Sequence, residues 1–82
     1  MQGEVASLRF DAVTAAVFNL SRGDAAEQIG DGKAQLSHRI CEDATKEVSV
    51  GDIISVRGLG RVKLLEIGGQ SKKGRVWIKF GM

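Results

Sequence analysis

The pair Ser21-Arg22, followed by Asp24, is the stretch best placed to bind an anion. Ser21 is a good helix N-cap, and Asp24 three positions later suits a capping box while complementing the positive helix end. Arg22 then falls in the first helical turn, where unpaired backbone N–H groups and the helix dipole already favour a phosphate. The plainer alternative is a cap followed by a surface arginine. A second constellation closes the chain. In Arg75-Val76-Trp77-Ile78-Lys79-Phe80, strand alternation places Val76, Ile78 and Phe80 on one face and Arg75, Trp77 and Lys79 on the other. An aromatic ring between two cations can stack a base while holding neighbouring phosphates. Alternatively, Trp77 packs beneath a loop and the charges solvate it. Arg57, Arg61, Lys72 and Lys73 cluster in glycine-rich connections suited to flexible phosphate contacts, and Arg39 is a further candidate contact.

Other chemistry finds little support. His38 and Cys41 lie three apart, but a zinc site needs three or four ligands. As a nucleophile pair they have no orienting third group. Gly58-Leu59-Gly60-Arg61 is not followed by the lysine-serine arrangement of a phosphate-binding loop. Catalysis, metal binding, cofactors and small-molecule substrates are therefore not expected.

Composition agrees with a small soluble domain. Apolar residues make up 43% and charged residues 27% of 82 residues, an ordinary globular balance in one modest core. No apolar run approaches the roughly 20 residues that span a bilayer, and no basic amphipathic helix suits a membrane surface. Neither a basic segment nor an apolar signal core opens the chain, and one cysteine fits a reducing compartment. A cytoplasmic location is expected. The net charge of +2 conceals an asymmetry: residues 1–56 hold five bases against nine acids, while residues 57–82 hold seven bases against Glu66 alone. The halves thus carry −4 and +6, and a concentrated positive field attracts polyanions.

The elements that must position these groups follow from periodicity. Residues 1–7 read as a linker remnant, as if this were a terminal domain cut from a longer protein. From Leu8 to Leu20, Val13, Ala16, Val17 and Leu20 recur at helical spacing. A second helix begins at the Ser21 cap, buries Ala25, Ala26 and Ile29, and stops at Gly30-Asp31-Gly32. The period then becomes two: a short strand from Ala34, a turn at Ser37-His38, and a return towards Ile40. Glu42 to Glu47 is a charged loop, Gly51-Asp52 a turn, and Ile53 to Val56 a strand. Val62 to Ile67 and Arg75 to Phe80 are further strands, joined by a flexible connection from Gly68-Gly69 to Gly74. Helices first and strands afterwards indicate an α+β two-layer domain over residues 8–82, with basic C-terminal strands over 57–82.

Leu8-Arg9-Phe10-Asp11, Ser21-Arg22 with Ala25, Ile29, Gly32-Lys33 and Gly51-Asp52-Ile53-Ile54 with Val56 form one constellation across residues 8–56. It resembles the RNA-binding domain first named for ribosomal protein S-four, the alpha-L motif. Within that family the likeness is to the C-terminal domain of the division-associated YlmH-type proteins and their cyanobacterial relatives labelled for photosystem II. The resemblance implies two N-terminal helices packed on a small, mainly antiparallel sheet. It also implies that Arg9, the Ser21-Arg22 pair and Lys33 face RNA, while Asp11 helps fix the helix start. The plainer alternative for Arg9 is a surface pair with Asp11 or Glu27, contributing at most about 1 kcal/mol. The sequence departs from the family pattern in two places. Asp24 stands where many relatives are basic, and Ser37-His38 replaces the common Asn-Gly turn, whose glycine supplies positive φ cheaply.

These readings converge on a non-catalytic domain that grips structured RNA, ribosomal or tRNA-like, in association with the ribosome. Arg9, Arg22 and Lys33 are expected to form one platform. The residues carry no sign of a photosystem contact. The rival is a protein-docking module using the Trp77 face or a sheet edge, favoured by the −4 balance over residues 1–56.

Overall fold

The computed structural model describes residues 2–70 and 74–81. In chain order the elements are β1 (Gln2–Val5), α1 (Phe10–Phe18), α2 (Arg22–Gly30), β2 (Ala34–Leu36), β3 (Arg39–Ile40), β4 (Ile53–Val56), β5 (Gly60–Gln70) and β6 (Val76–Gly81). The six strands pair antiparallel in the order β1-β6-β5-β4-β2-β3. The helices cover one face, giving the expected α+β two-layer architecture. Among the described residues, no helix is long and apolar enough to cross a membrane.

Local chemistry sets the helix ends. Asn19 ends α1 in the left-handed conformation (φ 56°), which asparagine tolerates better than most residues. Ser21 caps α2 by accepting a hydrogen bond from the Asp24 amide at 3.0 Å. At the other end Gly32 takes φ 76°, its amide donates to Ile29 O, and the Lys33 amide donates to Gln28 O. This double closure is a Schellman motif, so two otherwise orphaned carbonyls of α2 are satisfied. The predicted start and stop of this helix both hold.

The core lies between the layers. Phe10, Val13 and Ile29 from the helices meet Ile54, Val56, Val62, Leu64, Ile78 and Phe80 from the sheet, all at most 5% exposed. Register carries the alternate residues to the opposite face. Ser55 sits across from Arg61, Ile53 from Lys63, Glu66 from Lys79, and Glu4 from Trp77. That outer face is open, and Arg61, Lys63, Glu66 and Lys79 are exposed on it.

Two expectations need correction. The segment taken as a linker remnant, residues 1–7, contributes β1, whose register with β6 runs from Gln2↔Lys79 to Val5↔Val76. Val5 is only 3% exposed because it reaches the core cluster, and β1 pairs the outer edge of β6. The Gly68-Gly69 stretch, expected to begin a flexible connection, lies inside β5, which shifts register between Leu64 and Glu66 and again between Ile67 and Gln70. Close packing explains Gly68. A Cβ on Gly68 would lie 2.5 Å from Trp77 Cε3, so the indole rests directly on the β5 backbone.

The Ser37-His38 turn between β2 and β3 forms where expected, with both residues at positive φ (51° and 71°). Both central residues of a type I′ turn need that conformation, and neither serine nor histidine adopts it cheaply. Ser37 is compensated by its hydroxyl, which donates to Asp52 Oδ1 at 3.0 Å; no corresponding bond is seen for His38 among the described interactions. His38→Gly should therefore stabilise the domain by about 0.5–1 kcal/mol after the entropy cost of glycine in the unfolded chain. Thermal melting would show this as a rise of roughly 2–8 °C. An unchanged or lower midpoint would mean that the turn stores no strain.

Candidate nucleic-acid interface

The site begins with how α1 starts. Arg9 occupies the N-cap in an extended conformation and supplies no side-chain cap. The first free amides are instead satisfied by the segment after β3. Phe10 N donates to Lys46 O at 2.7 Å and Asp11 N donates to Ala44 O at 3.1 Å. Ala12 N donates to Asp11 Oδ1 at 2.7 Å, and with Val13 N on Arg9 O the helical ladder begins. Every early donor of α1 thus has a named acceptor, as a buried helix end requires.

The supporting segment, expected to be simply a charged loop, is held in shape by Asp43. Thr45 N and Thr45 Oγ1 both donate to Asp43 Oδ1, at 2.9 and 2.6 Å. Cys41 Sγ donates to Asp43 O at 3.7 Å. Further along, Val48 N donates to Leu8 O at 2.9 Å, and Arg9 pairs with Glu47 across a short antiparallel bridge. The Thr45 hydroxyl bond, then the Thr45 amide bond, with help from the charges of Lys46 and Arg9, hold the Asp43 carboxyl below its ordinary value. A depressed folded-state pKa stabilises the fold above the ordinary aspartate value, and that gain is lost as pH falls through the folded value. The difference in melting temperature between the parent and Asp43→Ala should accordingly be constant near neutrality and close on acidification below the ordinary aspartate value. A difference independent of pH would assign the effect to shape alone.

Asp11 has a second oxygen, and it faces two arginines. Arg9 Nη2 and Arg22 Nη2 each lie 3.3 Å from Asp11 Oδ2. The Asp11 side chain is 7% exposed, whereas those of Arg9 and Arg22 are 46% and 50% exposed. One buried carboxylate therefore gathers two half-exposed guanidinium groups from the starts of two different helices. Each uses one nitrogen on Asp11 and keeps the rest of a five-donor fork directed elsewhere. Counted by themselves, these three side chains carry one excess positive charge, with Asp24 a further acid in the first turn of α2. Arg9 does pair with Asp11, but the isolated surface pair of the simpler reading is not what forms.

A shallow cleft of about 330 Å³ opens beside Arg22. Ala12, Ala15 and Ala16 of α1 line it, Glu4 and Asn19 border it, and Arg75, from the segment before β6, lies across from the helices. The fold thus brings Arg22 and Arg75 together from positions far apart in the sequence.

The remaining expected residues are placed elsewhere. Ser21 is exposed beside Arg22 as the cap of α2. Lys33 follows the opposite end of that helix, about 13 Å away along nine residues of helical rise. There its carbonyl accepts the Arg57 amide at 2.8 Å, which makes Lys33 and Arg57 neighbours at the far end. Of the expected platform, Arg9 and Arg22 meet on Asp11, and Lys33 stands beyond the other end of α2. Arg39 lines a different cleft with Lys46, Cys41 and Ile40. Arg61 is exposed on the open face of the sheet. Trp77 is on that face as alternation requires, but half-buried against Gly68. Lys72 and Lys73 lie outside the described residues.

Sequence reasoning placed Asp11 at the helix start and beside Arg9, but it did not foresee the contact with Arg22. Its separation from Arg22 follows no helix or strand period, since the contact is made between two helices. The only available signal was an acid two residues after Arg9 at a helix start.

No family model matches this chain. It is 36% identical over 76 residues to the ribosome-associated protein quality control protein P2 of Bacillus subtilis (strain 168). The match covers 93% of this chain and 30% of that protein, so the chain spans under a third of its relative's length.

Proposed function

We propose that this domain is a non-catalytic RNA-binding module of the alpha-L kind, acting in the cytoplasm on ribosomal RNA or a tRNA-like element. The observation that carries the reading is the convergence of Arg9 and Arg22 on Asp11 at the start of α2. Two guanidinium groups within reach of one oxygen match the non-bridging oxygens of a phosphodiester, for which arginine forks are geometrically suited. The amides at the start of α2 favour the same charge. Arg75 across the cleft extends the surface, and Lys33 with Arg57 offers a second contact further along the helix. Support from outside the chain is the Bacillus relative, whose name places that protein on the ribosome.

Contacts of this kind position RNA by shape and backbone more than by base identity. Binding of a labelled ribosomal RNA hairpin should weaken steeply with salt. The double variant Arg9→Ala/Arg22→Ala should lose roughly 10- to 100-fold in affinity at low salt, taking each lost phosphate contact as about 1 kcal/mol. Its salt slope should become shallower by about 0.7 for each single-strand phosphate no longer neutralised. Titration curves of the double variant that overlay the parent at two salt concentrations would overturn the reading. Exposed Ile40 on the short edge strand β3 would then become the first place to look for a protein partner.

A further inference from the structure

We infer that Asp11 is a positioning residue for RNA binding: an anion, buried beneath a polyanion-binding surface, whose removal weakens binding although it makes the protein more positive. The inference rests on the RNA-binding reading above and concerns how its arginines are presented.

The geometry divides the work of the carboxylate. Oδ1 accepts the Ala12 amide at 2.7 Å, which anchors the group to the first turn of α1. Oδ2 is left for the two guanidinium groups, each 3.3 Å away. Because both nitrogens approach the same oxygen, they can be no further apart than twice that distance. Arg9 and Arg22 belong to separate elements, and half of each side chain is in solvent. Without a shared anion, two long side chains of like charge would diverge and sample many rotamers. Ordering each on binding costs roughly 0.5–1.5 kcal/mol, and a site that orders them beforehand spares the complex that cost. Asp11 also opposes their mutual repulsion, so the pair stays together before RNA arrives.

Simple electrostatics predicts the reverse. Asp11→Asn changes the formal net charge from +2 to +3, and greater positive charge strengthens attraction to a polyanion. Asparagine has nearly the same shape and retains an acceptor for the Ala12 amide, so the substitution removes chiefly the charge. The two ideas therefore differ in the sign of one measurement.

The test is a cycle of four proteins, the parent, Asp11→Asn, Arg9→Ala/Arg22→Ala and the triple variant, titrated with one labelled RNA hairpin at several salt concentrations. Thermal melts confirm that each is folded at the binding temperature, and Asp11→Ser replaces Asp11→Asn if the latter is not. In the presence of both arginines, Asp11→Asn should weaken binding about tenfold at every salt concentration, with the salt slope nearly unchanged because the same phosphates are still contacted. In the absence of both arginines, Asp11→Asn should leave binding equal or tighten it, since Asp11 is then only a repelling anion. A purely structural role would weaken both backgrounds alike. Binding that is equal or tighter when Asp11→Asn is made beside intact arginines overturns the positioning role, as does equal weakening in both backgrounds. In those cases a large loss in Arg9→Ala/Arg22→Ala would leave the RNA-binding reading standing, whereas no loss there would remove both.

Discussion

A single buried carboxylate links the fold of this domain to its surface chemistry. Asp11 accepts the Ala12 amide in the first turn of α1 through one oxygen and draws Arg9 and Arg22 together through the other. Burying a charge is costly unless it is paired and hydrogen-bonded, and Asp11 meets both conditions. Removing either arginine would leave the carboxylate less well compensated, so the core has a stake in the residues that face outward. Stability and presentation of the cations are thereby coupled.

That arrangement depends on a segment with no regular structure of its own. Residues 43–46 fold around the Asp43 side chain and deliver the carbonyls of Ala44 and Lys46 to the first amides of α1. The helix start is therefore fixed from outside the helix. Arg9 sits just before that start, so its direction is set by contacts made more than thirty residues away in sequence. On the opposite side of the molecule the constraint is simpler. Alternation in β5 and β6 sends Val62, Leu64, Ile78 and Phe80 inward and leaves Arg61, Lys63 and Lys79 outside. Three of the seven C-terminal bases, Arg61, Lys63 and Lys79, thus lie on the open face of the sheet, while Arg75 borders the cleft beside α1.

Features governed by neighbours in sequence were legible beforehand. The Ser21 cap with Asp24, the Gly32 closure of α2, the Ser37-His38 turn and the strand over Ile53–Val56 each follow from side chains a few positions apart. The misread features are those decided by distant partners. Gln2–Val5 is short and contains Gly3 and Glu4, so nothing local marks it as a strand; pairing with β6 makes it one. Gly68-Gly69 looks like a break, yet Trp77 needs the bare backbone at Gly68. The site divides along the same line. Arg22 could be placed from its helix start, and Trp77 from its alternation, but the meeting of Arg9 and Arg22 on Asp11 is a contact between helices. The separation of Lys33 from that pair follows from the length of α2, which the cap and the closing glycine had already defined.

The central claim is that RNA lands on the Arg9–Asp11–Arg22 corner. Nitrogen-15 NMR of the labelled chain during addition of an RNA hairpin tests this most directly. The account predicts that the side-chain Nε–H signals of Arg9 and Arg22, with the amides of Gly23 and Asp24, shift first and furthest. Those signals staying still while the Trp77 indole and the β6 amides move would contradict it.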